Sequence, residues 1–225
     1  MTVDAIADLL PTAMAVALSP FPVVAVAMVL AGPRARTAGP AFGAGWVVGL
    51  TTVSVLVILV AGGAGDPDSD VATGVGWLQI GLAVALFTMA TRQWRGRPRP
   101  GDEPATPAWM AGIEGMGPRR ALVLGLALSA GNPKNLVLTL AASASIAQAG
   151  LDARGDAVAV AAFVVVGSAT VVGAVLLALV APATAAPALR AVRRFMTDHA
   201  AAIMTVVLLL LGAKVLGNGL SGLSG

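Results

Sequence analysis

Four stretches of this chain contain no Asp, Glu, Lys or Arg: residues 9–33, 37–65, 71–91 and 157–189, which are 25, 29, 21 and 33 residues long. Two more, residues 121–151 and 200–225, hold one charge each, Lys134 and Lys214. A helix needs about 20 apolar residues to cross roughly 30 Å of hydrocarbon. Six transmembrane helices are therefore predicted, at about residues 5–30, 41–64, 74–91, 121–147, 157–180 and 200–216. Hydrocarbon offers the backbone no outside hydrogen-bond partner, so runs of this length must be helical. The alternation of a barrel strand is absent. Only 11% of the residues are charged, against about 25% in ordinary soluble domains. Together with a mean hydropathy of +0.88, this excludes a soluble globular domain, a disordered chain and a nucleic-acid binder. The expected fold class is an all-α polytopic membrane protein, with the lipid bilayer as its first partner.

The connections alternate in charge. Arg34 and Arg36 fall in the first, Arg92, Arg95, Arg97, Arg99, Arg119 and Arg120 in the third, and Arg190, Arg193 and Arg194 in the fifth, which together hold 11 of the 14 basic residues. The other two connections carry Asp66, Asp68 and Asp70, and Asp152, Arg154 and Asp156. The positive-inside rule then predicts a multi-pass protein of the cytoplasmic (inner) membrane with three Arg-rich loops inside and both termini outside. The opening Met1-Thr2-Val3-Asp4 lacks a basic region, so the first apolar run is expected to remain as a helix and not to be cleaved as a signal. Trp46, Trp77, Trp94 and Trp109 lie near predicted helix ends or in a loop and are expected to be interfacial anchors. Residues 92–118, with Pro98, Pro100, Pro104 and Pro107 among charges, read as a cytoplasmic linker. The linker divides the chain into residues 1–91 and 119–225, three helices each.

Each half opens with related text. Ala17-Leu18-Ser19-Pro20-Phe21-Pro22 and Ala127-Leu128-Ser129-Ala130-Gly131-Asn132-Pro133-Lys134-Asn135 share Ala-Leu-Ser at an offset of 110 residues, and Pro22 meets Pro133 at an offset of 111. Three helices per half force opposite orientations. The pattern predicts two inverted repeats with broken first and fourth helices, the arrangement in which secondary transporters bind substrate near the midplane. Each proline removes a backbone donor and frees a carbonyl one turn earlier. A lysine at helix centre costs about 2.5–3.5 kcal/mol to insert, which argues for a role. Ser19, Pro20, Pro22, Asn132, Pro133, Lys134 and Asn135 are therefore the predicted transport pathway, and Gln79 and Thr88 are candidate cavity-lining residues. Gly45 and Gly49 form a Gly-x-x-x-Gly expected to be a packing seam. Asp4 and Asp8 are expected to favour the first helix's positive end, and Lys214 to snorkel outward. His199 is expected at the interface.

These residues resemble the LysE-type exporter superfamily: Leu18-Ser19-Pro20 with Pro22, an Arg-bearing turn, Ala41-Phe42-Gly43-Ala44-Gly45-Trp46-Val47-Val48-Gly49, and Asn132-Pro133-Lys134-Asn135. Within it the text is most similar to the GAP family, the peptidoglycolipid- or sulfolipid-addressing proteins of mycobacteria and other actinobacteria. The resemblance spans essentially the whole chain. It implies small-solute export in most branches and movement of glycolipids toward the cell surface in GAP proteins.

The expected function is a transporter or exporter moving a lipid-linked or anionic small substrate by alternating access, since Lys134 and half-helix N-termini favour an anion. An amino-acid or other small-solute exporter of LysE type is the alternative within transport. A non-transporting scaffold for a glycolipid synthesis or export complex is the alternative outside it. With no cysteine, one histidine and no buried acidic pair, no catalytic constellation is present; an enzyme, a cofactor and a metal are not expected. The sequence allows a homodimer and leaves coupling ion and flux direction open.

Overall fold

The computed structural model describes residues 2–62, 70–97, 112–113 and 115–224. Trp109 and most of the linker lie outside them. Nine α-helices follow in order among the described residues: α1 (Thr2–Ala17), α2 (Pro20–Ala31), α3 (Ala35–Gly62), α4 (Asp70–Arg95), α5 (Pro118–Leu126), α6 (Pro133–Gln148), α7 (Ala153–Gly167), α8 (Ala169–Val180) and α9 (Pro182–Ser224). A π-helical segment, Ala127–Gly131, joins α5 to α6.

Two helices, Ala35–Val60 and Pro182–Ser221, are each long and apolar enough to cross a membrane. Three further helix pairs reach that length only together, because each is bent at a short break: α1 with α2 by 53°, α5 and the π segment with α6 by 60°, and α7 with α8 by 59°. The described residues thus supply up to five spans. α4, which ends on Arg92 and Arg95, is not among them. Val60, Val165, Val180 and Leu210 are more than two-thirds exposed. A skin of large apolar side chains is the outer face of a membrane-embedded bundle, where water is not the solvent.

The bundle closes where glycines let helices touch. On α3, Phe42, Gly45, Trp46, Gly49 and Leu50 form one buried stripe at helical spacing. A methyl group on Gly45 would lie 2.0 Å from the Leu122 carbonyl oxygen, and one on Gly125 would lie 2.2 Å from that of Phe42. α3 and α5 therefore cross with backbones in direct contact, the small-residue packing that substitutes for hydrophobic drive in lipid. The expected Gly45/Gly49 seam has this physical form at Gly45, while Gly49 faces the Ser129 side chain of the π segment.

Three expectations change. Trp46 is not an interfacial anchor: it is fully buried, because it shares the stripe that Gly45 and Gly49 press against α5. Trp77 and Trp94 are exposed, and the Arg97 guanidinium sits 4.0 Å from the Trp94 ring centroid. The Arg-rich segment 182–199 is no loop; it is the first part of the 43-residue α9. Lys214 does not merely snorkel. Its ammonium lies 3.5 Å from the Asp8 carboxylate and donates to the Asp8 carbonyl, fastening the last third of α9 to the middle of α1. His199 is exposed and stacked on Phe195.

Candidate functional site

α1 stops where Pro20 must begin a new helix: proline occupies the first position of α2, and Ser19 is extended, with φ −69° and ψ 115°. The Ser19 amide, which would serve Ala15 in a continuous helix, bonds Val16 instead. The Ala15 carbonyl is taken by Lys134, whose Nζ donates to it at 2.9 Å across 119 residues of sequence. Lys134 is 2% exposed. A freed carbonyl in one half is thus capped by a cation from the other, and the two predicted breaks meet.

The second break is built by Asn132 and Pro133. Asn132 caps α6, its Oδ1 accepting from the Lys134 amide at 3.1 Å, and Pro133 takes the first helical position, where no donor is lost. Asn135 is fully buried and donates from Nδ2 to the Leu128 carbonyl in the π segment at 2.9 Å. Its Oδ1 has no hydrogen-bond partner, nor has the buried hydroxyl of Ser19. Thr139 and Ser143 continue the same buried face of α6 at intervals of four residues, each donating to the carbonyl one turn back. The hydroxyls of Thr139 and Ser143 are satisfied within the helix, so the polar atoms left open here are Asn135 Oδ1 and the Ser19 hydroxyl.

A third break was not foreseen. α7 and α8 part at Gly167-Ser168 without a proline. A methyl group on Gly167 would lie 3.5 Å from Val16 and 3.7 Å from the Ala13 carbonyl, so this break packs directly on α1. Thr170 then donates to the Ala17 carbonyl. The Ser168 hydroxyl is buried and unpartnered. The sequence signal was the Gly-Ser pair in an apolar run, a recognised place for a kink. Thr170→Val should lower the melting temperature by about 2–4 °C, since it deletes one hydrogen bond of about 0.5–1.5 kcal/mol. Thr170→Ser should restore it, as thermal unfolding in detergent will read.

The two cavity candidates separate. Gln79 is buried, and its Nε2 donates to Gln148 at 2.8 Å and Ser145 at 3.4 Å, while Asn218 reaches the same Ser145 hydroxyl at 3.4 Å. This cluster ties α4, α6 and α9 together away from the breaks. Thr88 lies on the exposed face of α4 and bonds the Val84 carbonyl, so the structure does not bring it to the site.

Two surface concavities flank the bundle. A groove of about 880 Å³ between α3 and α7 is walled by Val55, Ile58, Leu59, Val160 and Val164. A second, of about 430 Å³, lies among α2, α3, α8 and α9.

Apolar bent helices around a buried lysine and three backbone breaks define a helical, membrane-embedded protein with a polar centre. The family model described as "Sap, sulfolipid-1-addressing protein" matches residues 9–221, and the chain belongs to that family. No curated protein and no solved structure matches it.

Proposed function

We propose that this protein is a transporter that moves an anionic, lipid-linked substrate across the cytoplasmic membrane by alternating access. The observation that carries this reading is the contact of Lys134 with the freed Ala15 carbonyl, which joins two broken helices from opposite halves of the chain. A bound anion could replace that carbonyl as the partner of the ammonium, and releasing it would let α1 move relative to α6. Substrate binding and helix movement would then be one event. The family's name points to a sulfolipid, and a sulfated head would suit a buried lysine. Membrane-facing concavities favour a lipid over a small solute, because a small solute needs no lateral opening.

In this reading α4 is the third of six spans, the halves are residues 1–91 and 119–225 in opposite orientation, and the LysE-type exporters are the wider group. Both halves open on a helix broken by proline. Their second helices differ, however: α3 is continuous where α7 and α8 are parted. The same reading leaves catalysis with no part to play.

The chain has no cysteine, so single cysteines report on it without background. A membrane-impermeant reagent added outside should label a cysteine at Asp152 and spare one at Arg97. A cysteine at Asn132 should be labelled from either side, more slowly from each than an open loop. Labelling of Asn132 from one side only would contradict alternating access, and labelling of Arg97 from outside would overturn the orientation.

A further inference from the structure

Three buried polar groups at the helix breaks make no hydrogen bond: the hydroxyls of Ser19 and Ser168 and the side-chain oxygen of Asn135. Their residues are 0%, 3% and 0% exposed. Similar hydroxyls elsewhere are satisfied locally, as Thr139, Ser143 and Ser145 each donate to the carbonyl one turn back. The two serines hold N-cap positions, of α2 and α8, yet neither side chain caps its helix. A capping oxygen accepts from the second or third amide of the helix, and at Ser19 the third is Pro22, which has none. Ser168 has φ −98° and ψ −4°, away from the extended backbone typical of a capping residue. Asn132, which is extended, does cap. Burying such groups without partners is costly, and alanine at either serine would remove the cost.

The three groups are gathered on one turn of chain. At the end of α1 the carbonyls of Ala15, Val16 and Ala17 accept from Lys134 Nζ, the Ser19 amide and the Thr170 hydroxyl. The starts of α6, α2 and α8 therefore meet there, with Asn135 next to Lys134 and Ser168 two residues before Thr170. An ammonium has three donors, and the Ala15 carbonyl takes one of them. Lys134 and the two hydroxyls can all donate to an oxoanion, and charge-assisted bonds of this kind are the strong ones. The Asn135 oxygen can only accept. A bare oxoanion offers it nothing, so a complementary head brings a donor of its own, such as a hydroxyl.

We infer that Ser19, Ser168 and Asn135 contact the head of the substrate and select one that carries a hydroxyl beside its anionic group. The serines and Lys134 take the oxoanion, and the Asn135 oxygen takes the hydroxyl. The inference rests on the reading of Lys134 as the partner of an anionic lipid, and adds to charge a second requirement on the head.

Two anionic lipids that differ in the head alone supply the test. Phosphatidylglycerol has hydroxyls beyond its phosphate, whereas phosphatidylmethanol has a methyl group. Purified protein is reconstituted in phosphatidylcholine vesicles holding equal small fractions of both, re-extracted, and its retained lipid measured by mass spectrometry. Phosphatidylglycerol should be retained about ten-fold over phosphatidylmethanol, as one bond to an otherwise unpaired buried acceptor implies. Ser19→Ala with Ser168→Ala should lower retention of both anionic lipids roughly ten-fold or more. Its melting temperature in detergent should hold or rise, because the free protein loses no hydrogen bond. Thr88→Val, at a hydroxyl on the exposed face of α4, should leave retention unchanged. Equal retention of the two lipids by the wild-type protein would overturn the inference. So would unchanged retention in the double variant, or a lower melting temperature, which would make the hydroxyls structural. Selective retention without flux would leave this site standing and remove the transport reading alone; flux without selectivity would do the reverse.

Discussion

Lys134→Ala should reduce transport roughly ten- to hundred-fold while leaving the melting temperature nearly unchanged. The transport effect follows from losing a charged hydrogen-bond donor, about 1.5–3 kcal/mol, at the point where the halves meet. The small stability effect follows from two opposed terms. Removing the ammonium leaves the Ala15 carbonyl unpaired, which costs about 1–3 kcal/mol. It also removes a charge that costs about 2.5–3.5 kcal/mol to hold in the membrane centre. Lys134→Arg should lose less activity, since it keeps the charge but changes the donor geometry. Flux in liposomes and thermal unfolding in detergent separate the alternatives. A variant that transports normally but melts earlier would make Lys134 a structural tie and nothing more.

Gly125→Ala should be the most destabilising of the simple substitutions. A methyl group there would lie 2.2 Å from the Phe42 carbonyl oxygen and 3.0 Å from the Trp46 amide nitrogen, both backbone atoms that no rotamer change can move. α5 must then retreat from α3, unpacking the stripe that holds Trp46. Overpacking of this kind costs about 1–3 kcal/mol, or a fall of roughly 2–4 °C for each kcal/mol in a chain of this size. Gly45→Ala should behave alike, facing the Leu122 carbonyl at 2.0 Å. Gly173→Ala is the control: nothing lies within 4 Å of the added carbon. Its melting temperature should not fall, because alanine is the better helix former. Equal losses at Gly125 and Gly173 would mean the close crossing of α3 and α5 does not hold.

What the sequence made legible follows the chemistry of particular residues. Proline alone does not mark a break, since Pro11, Pro40 and Pro187 lie inside α1, α3 and α9; the breaks at Pro20 and Pro133 were legible because those prolines fall at matching places in related text. The buried lysine was legible because a charge stands out in an apolar run, although its partner on Ala15 could not be known from text. The break at Ser168 was marked in the sequence only by the Gly167-Ser168 pair. It arises from packing of Gly167 on α1 and from Thr170 on Ala17, contacts made across 150 residues or more. Trp46 was misread for a related reason: nearness to a helix end places a residue by depth, whereas its face is set by which neighbour approaches. Charge also misled at 182–199, where the arginines said nothing about whether the backbone there stays helical.

The central claim is that this protein moves a lipid through a centre governed by Lys134. The most direct measurement is flux of a fluorescent sulfated glycolipid between leaflets of liposomes containing the purified protein. The label is quenched from outside as each molecule emerges. Wild-type protein should render the inner-leaflet pool accessible, empty liposomes should not, and the Lys134→Ala variant should do so roughly ten- to hundred-fold more slowly. If wild-type and empty liposomes quench alike, while the protein is folded and correctly inserted, the protein is a scaffold and the transport account is wrong.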